Sequence, residues 1–390
     1  MAAHLKDLLA NPPKDATERR ELSEAARELY MSLETPLDTM HRLFWSIEQL
    51  PVVQVGVDLK LFRTLASDPQ RQWSITELAQ QLGAEDTLLS RLLRYLRSFG
   101  LVRELSDGTY TANESTCWLA TPGAEGGVKH YNVTVTKILG SLPAFLAKNG
   151  YRNPTDPANC AFNLAWGYDK PAYSGWVPPD PTLLPAFMEF MKSQRGTQRS
   201  WMTSFPMEKL RLSAEDVKQD RALFVDVGGS AGHQCLSLRQ SHPELEGRII
   251  LEDQASVISA LNLDDLSSKG IQATAHDFFT PQPSSARGSK AYYLRNIMHD
   301  WPDDRCVEIL NHLKDAMVED SMILIDEMVL PDTGASWNQA QKDIQMMAGL
   351  AAMERSESQW RELARKAGLT FEGVFTYDRE MGDSITVLRK

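Results

Sequence analysis

The stretch that most narrows what this chain can become is Leu223-Phe-Val-Asp-Val-Gly-Gly-Ser-Ala-Gly232. Leu223, Phe224, Val225 and Val227 make an apolar run of the length of a buried strand. The run stops in Gly228, Gly229 and Gly232, and Leu236, Leu238 and Gln240 then fall in a helical segment. Strand, glycine turn and helix form a nucleotide-binding corner, because glycine lets backbone approach a ligand where a Cβ would collide. A second apolar strand, Arg248-Ile-Ile-Leu251, stops at Glu252-Asp253. An acid there is placed to accept hydrogen bonds from ribose hydroxyls.

The choice of nucleotide is narrower still. A dinucleotide fingerprint wants glycine at its first, third and sixth positions; counted from Gly228, the third is Ser230 and the sixth His233. No P-loop Gly-Lys-Ser/Thr is present either. Asp226, just before the glycines, suits a cationic or amine-bearing ligand better than a pyrophosphate. The combination resembles the first motif of S-adenosylmethionine (SAM)-dependent methyltransferases. A plain strand-turn-helix with no ligand would carry the same residues.

From Leu223 onward strands and helices alternate. Strands are expected at 223–227, 248–251, 270–274, 290–294 and 322–326, with a last one over Ser384–Arg389, and helices between them, such as Arg305–Met317 and Glu357–Lys366. That pattern predicts an α/β, Rossmann-like doubly wound sheet. Ligands in such sheets sit beyond the carboxyl ends of the strands, and there the chain carries His276-Asp-Phe-Phe279, Arg295 to Asp303, and Glu327.

The amino-terminal part reads differently. Residues 16–30 are polar and helical, with Leu22, Ala25, Ala26, Leu29 and Tyr30 on one face, which would pack on the body of the chain or on a partner subunit. Ser74 with Glu77 is a capping box and Gly83 a helix stop. Thr87 opens a second helix, and Leu101–Thr111 reads as a hairpin turning at Asp107-Gly108. Helix, turn, helix and hairpin make a winged-helix pattern. Arg91, Arg94 and Arg97 could face DNA, but they alternate with leucines as a solvated face does, and the net charge of -11 argues against a nucleic-acid partner.

Three regions follow: a helical, winged-helix domain over 1–120, a helical linker and pocket segment over 121–210, and the Rossmann-like domain over 211–390. In the middle segment aromatics and methionines cluster. Trp166, Trp176, Phe187 and Met191, with Met346 and Met347 further on, are candidates to line an apolar pocket for a planar substrate, although a plain core would use the same residues. The four cysteines have no metal spacing, so no metal is expected and a reduced, cytoplasmic setting is. No apolar run of about 18 residues exists, so no membrane span is expected.

Several motifs in order resemble the plant and fungal small-molecule O-methyltransferases of the caffeate and flavonoid type. They are Asp226-Val-Gly-Gly-Ser-Ala-Gly232, Asp253, His276-Asp-Phe-Phe279, His299-Asp-Trp-Pro-Asp303, Asp326-Glu-Met-Val-Leu-Pro331 and Glu354-Arg-Ser-Glu357. The resemblance implies a class I methyltransferase domain with SAM as cofactor, behind a winged-helix domain that makes a homodimer. It implies His299 as catalytic base, with Glu327 and Glu354 flanking it. It implies Asp226, Gly228, Gly229 and Gly232 around SAM, Asp253 at the ribose, Asp277 and Phe278 at the adenine, and Arg295 where plant members carry a SAM-contacting lysine. Asn296 replaces their tryptophan, and around 349–353 the chain departs from them, so plant substrates do not transfer. The expected acceptor is a phenolic or enolic hydroxyl of a small aromatic or polyketide-type metabolite. Two alternatives stand beside this: a methyltransferase-like enzyme that binds SAM but catalyses dehydration or pericyclic ring formation, for which Arg295 would suit, and a winged-helix DNA-binding regulator.

Overall fold

The computed structural model describes residues 8, 11–106, 108–172, 181–195 and 199–390. It contains two compact units, Met1–Asn132 and Val133–Lys390. Residues 121–132 of the expected middle segment therefore belong with the first unit, and the rest of that segment with the second. No helix among the described residues is long and apolar enough to cross a membrane.

The first unit opens with two helices set by their caps. Asp15 accepts from the Glu18 amide at the start of Ala16–Leu33, and Thr35 with Asp38 makes a capping box before Pro36–Trp45. The predicted box of Ser74 and Glu77 starts Ile75–Leu82, and Gly83 ends it in the left-handed region at φ +67°. The next helix, Asp86–Ser98, begins one residue before the expected Thr87, because the Glu85 carboxylate accepts from the Thr87 and Leu88 amides. Strands β1 (Trp73–Ser74), β2 (Arg103–Ser106) and β3 (Thr109–Thr111) form the wing in the order β1-β3-β2; Asp107 at its turn lies outside the described residues. Leu61, Phe62, Leu65, Leu78, Leu89, Leu93 and Leu96 fill the core. Arg91, Arg94 and Arg97 are exposed, and Arg97 pairs with Glu104 across 3.3 Å.

The second unit is built on one sheet of β4 (Ala222–Val227), β5 (Arg248–Asp253), β6 (Ile271–Ala275), β7 (Ala291–Arg295), β8 (Met322–Leu330), β9 (Arg355–Ser356), β10 (Thr370–Asp378) and β11 (Asp383–Arg389). The order is β10-β11-β8-β7-β4-β5-β6, with β9 paired to β8. Strands β4 to β8 run parallel, and β11 runs antiparallel between β8 and β10. Side chains alternate between two cores: Ile249, Leu251, Tyr293 and Leu324 face one, while Ile250, Tyr292, Leu294, Ile323 and Ile325 face the other. The second core is covered by Asp303–Ala316 and Glu357–Lys366. Chain order reverses at β4, which lies between β5 and β7, so the binding crevice of such a sheet opens beyond β4 and β7.

Three differences from the sequence reading matter. Strand β10 was not expected: its alternation is broken by irregular register between Phe371 and Gly373 and between Thr376 and Asp378. Glu252 and Asp253 are the last residues of β5 rather than its sequel. Glu327 lies inside β8, because that strand runs on through Leu330 by pairing with β11 and β9. The β8–β9 register sets Val329 opposite Arg355, and so carries Glu354 toward Glu327.

Candidate active site

The loop after β4 is tied to the end of β5. Gly228 and Gly229 both donate their amides to the Glu252 carbonyl, at 2.8 and 3.1 Å. Ser230 donates its amide to Asp253 Oδ2 at 2.7 Å, and Gln254 to Oδ1 at 2.7 Å. Gly228 stands at φ +72°, and a Cβ there would lie 2.7 Å from Ile297 Cδ1 and 3.7 Å from Phe278 Cε1. The glycine loop, the half-buried Phe278 and the segment that leads to His299 therefore meet at one place. Asp226 lies beneath this loop rather than on its open face: a Cβ on Gly229 would come within 2.4 Å of its Cγ. Burial pushes the Asp226 carboxyl up to about 7, against the Cys235 thiol 3.5 Å away, which lowers it. Asp277 is exposed and accepts from the Phe279 amide at 3.0 Å.

Beyond β7 the chain turns sharply. Asn296 adopts φ +52°, and a single 3-10 turn, Met298–Asp300, carries the imidazole. One carboxylate oxygen, Glu327 Oε1, accepts from the amides of Ile297 (2.9 Å), Met298 (2.6 Å) and His299 (3.2 Å). His299 Nδ1 lies 3.0 Å from Glu354 Oε1, and its Nε2 3.4 Å from Asp300 Oδ1. The two acids thus divide the work: Glu354 orients the ring, and Glu327 holds the backbone beneath it. Glu354 is itself anchored, its amide donating to Asp343 Oδ1 at 3.0 Å. Burial would depress the His299 pKa, but Glu354, Asp300 and Glu327 together outweigh it and raise it above the ordinary 6.5. Burial drives Glu327 up to about 7, with His299 opposing, whereas the His299 partner holds Glu354 below its usual value despite burial.

Arg295 ends β7, with Nη1 3.6 Å from Asp326 Oδ2. Asp326 is buried and also accepts from the hydroxyls of Tyr293 and Tyr377. Burial works against the guanidinium charge, but Asp326 more than compensates and keeps it firmly protonated.

The sequence candidates for a substrate wall lie on several elements. Ile138, Phe145, Cys160, Ala161, Phe162, Ala348 and Ala351 form an apolar cluster, against which Trp166 packs. Its helix Trp337–Leu350 carries the half-buried Met346 and Met347, and adjoins both Thr136–Lys148 and the Met298–Asp300 turn. Phe187 and Met191 lie on Leu184–Arg195. Trp176 falls outside the described residues. Sequence reasoning gave no role to Arg355, whose side chain is fully buried and reaches the His299 turn; a single arginine beside Glu354 carries no sequence signal of burial.

Comparison with known proteins settles the family. Residues 160–370 match the O-methyltransferase domain family, and residues 50–122 the O-methyltransferase dimerisation domain family. The chain belongs to the O-methyltransferases. It is 38% identical to the O-methyltransferase lepI of Aspergillus flavus over 92% of this chain and 91% of that protein. It is 34% identical to the demethylsterigmatocystin 6-O-methyltransferase of the same species, over 96% of this chain and 94% of that one. Solved structures of LepI in complex with SAM and of a protein described as a pericyclic reaction enzyme each superpose with a TM-score of 0.88 at 36% identity, covering 100% of this chain and 98% of theirs. SAM is the cofactor of this family, and the residues present fit it: a carboxylate at the end of β5 for a ribose diol, Phe278 for an adenine face, and an acidic setting for a cation. The exposed arginines of the winged helix belong to the dimerisation domain, which weighs against the DNA-binding reading.

Proposed function

We propose that this O-methyltransferase moves a methyl group to a phenolic or enolic hydroxyl of a small aromatic or polyketide-type metabolite, as a cytoplasmic homodimer, with His299 as general base. The observation that carries the reading is the paired imidazole: Glu354 at Nδ1, at 3.0 Å, holds that nitrogen's proton, so Nε2, with Asp300 at the longer 3.4 Å, is the one to take the hydroxyl's proton. When bound, SAM supplies an electrophilic methyl on a sulfonium. The residues to hold it are Asp253, the Gly228–Gly232 loop, Asp277 and Phe278, with Asp226 supporting the loop from below.

The proton has to move from a phenol of pKa about 10 to an imidazole whose ordinary value is about 6.5, a gap of about 5 kcal/mol. Glu354, Asp300 and Glu327 narrow that gap by raising the His299 pKa. The names of the relatives support a polyketide-type acceptor, the dimerisation domain supports a homodimer, and the free cysteines Cys117, Cys160, Cys235 and Cys306 fit a reducing compartment.

Two observations favour a second reading, SAM-dependent ring formation without methyl transfer: the likeness to a pericyclic reaction enzyme, and the fixed cation of Arg295 at the carboxyl end of β7, suited to polarising a carbonyl. Incubation with methyl-labelled SAM and a panel of phenols and enolic polyketides separates them. Label in the product supports methyl transfer; an altered product without label overturns it in favour of cyclisation.

A further inference from the structure

The turn under His299 is gripped from two sides. On its amide side, Glu327 takes three consecutive N–H groups. On its carbonyl side stands Arg355. Its Nη1 donates to the Met298 carbonyl at 3.0 Å and its Nη2 to the Trp301 carbonyl at 2.9 Å, so one planar guanidinium spans the turn from end to end. Asp303 Oδ1 accepts two more, from Nε at 3.1 Å and Nη2 at 3.0 Å, and the Cys306 thiol meets the same two carbonyls at 3.2 and 3.3 Å. Trp360 lies against the guanidinium face. The Arg355 side chain has no exposure, and a buried arginine with its fork filled in this way holds two acceptors at a fixed separation as no lysine can.

We infer that Arg355 is a positioning residue for His299: it fixes the backbone turn from which the ring projects, while its neighbour Glu354 fixes the ring itself. The inference rests on His299 being the base. It goes further in making the aim of Nε2 depend on an arginine that touches neither ring nor ligand. Adjacency in sequence explains how the two are kept in step. Strand β9, which begins at Arg355, is locked in register to β8, which carries Glu327, so ring partner and both halves of the grip share one frame.

The test is nuclear magnetic resonance of the full chain, labelled with 15N-histidine and saturated with S-adenosylhomocysteine. A ring N–H hydrogen-bonded to a buried carboxylate gives a downfield, slowly exchanging proton, and His299→Gln identifies it by removing it. In Arg355→Met that proton is expected to exchange at least tenfold faster and the ring to titrate nearer its ordinary value, with S-adenosylhomocysteine affinity within threefold of the parent. Arg355→Lys, which keeps the charge but not the fork, is expected to fall between. A purely structural arginine would lower the melting temperature and leave the ring signal and its titration in the folded protein unchanged, and that result overturns the inference. So does a parent protein without the signal. Should Arg355→Met fail to fold, Asp303→Asn loosens the same guanidinium from its outer, part-exposed anchor and is read identically. Failure of the base reading looks different: His299→Gln would keep transferring methyl groups while the Arg355 effect on the ring persisted.

Discussion

At His299 both ring nitrogens face carboxylates, and the consequences are measurable one residue at a time. His299→Gln is expected to lower turnover by about 10²–10⁴ while leaving S-adenosylhomocysteine binding intact. In the parent, kcat/KM is expected to rise with pH above about 6.5, since the raised pKa keeps the free ring protonated there; the variant should lack that limb. The sign for stability is the reverse. A pKa raised in the folded state gives stability that is full below the unfolded value and lost as pH climbs through the folded one. The same rule applies to Glu252, which is buried and is pushed by burial from 4.5 up to about 7, with Gln282 opposing. Glu252→Gln is therefore expected to stabilise the protein at pH 8 by up to about 3 kcal/mol, at 1.36 kcal/mol per pKa unit, and to do little at pH 4. Urea unfolding at the two pH values checks this; equal effects at both would show that burial does not shift this carboxyl.

Among the elements, the β4 loop carries the most constraint in the least chain. A Cβ on Gly229 would sit 2.4 Å from Asp226 Cγ and 2.5 Å from Leu251 Cδ1. Gly229→Ala must therefore move a buried strand residue, and is expected to cost about 1–3 kcal/mol and to weaken SAM binding at least tenfold, read by calorimetry. This element was legible from sequence because glycines between an apolar run and a helix have few other uses. The motifs after β6 and β7 were legible for a related reason: a parallel sheet delivers its strand ends to one edge. What sequence could not supply was pairing between distant segments. Strand β10 hid behind its bulges. The roles of Glu327 and Glu354 emerge only when β9 pairs with β8, since one acid then faces a row of amides and the other a ring. Asp226 was read as facing the ligand because its position before the glycines says nothing about depth.

For the whole molecule, the open question lies at the amino terminus. Leu33, Leu37, Leu43, Phe44, Trp45 and Ile47 are exposed, Leu33 at 73% and Ile47 at 74%, on helices that lead directly into the dimerisation domain. So many exposed large apolar side chains within 15 residues mark a segment that is covered in the working protein. The combined variant Leu37→Ser, Phe44→Ser, Ile47→Ser is expected to shift the sedimentation coefficient to that of a smaller assembly, with the secondary structure kept. An unchanged coefficient would mean these helices take no part in association.

The ring shut between Glu354 and Asp300 also ties each turnover to the movement of one hydrogen. Nε2 has to leave Asp300 to take the hydroxyl's proton as the methyl group moves. Single-turnover rates in heavy water should therefore fall below those in ordinary water, and equal rates would show that the hydrogen has left before that step.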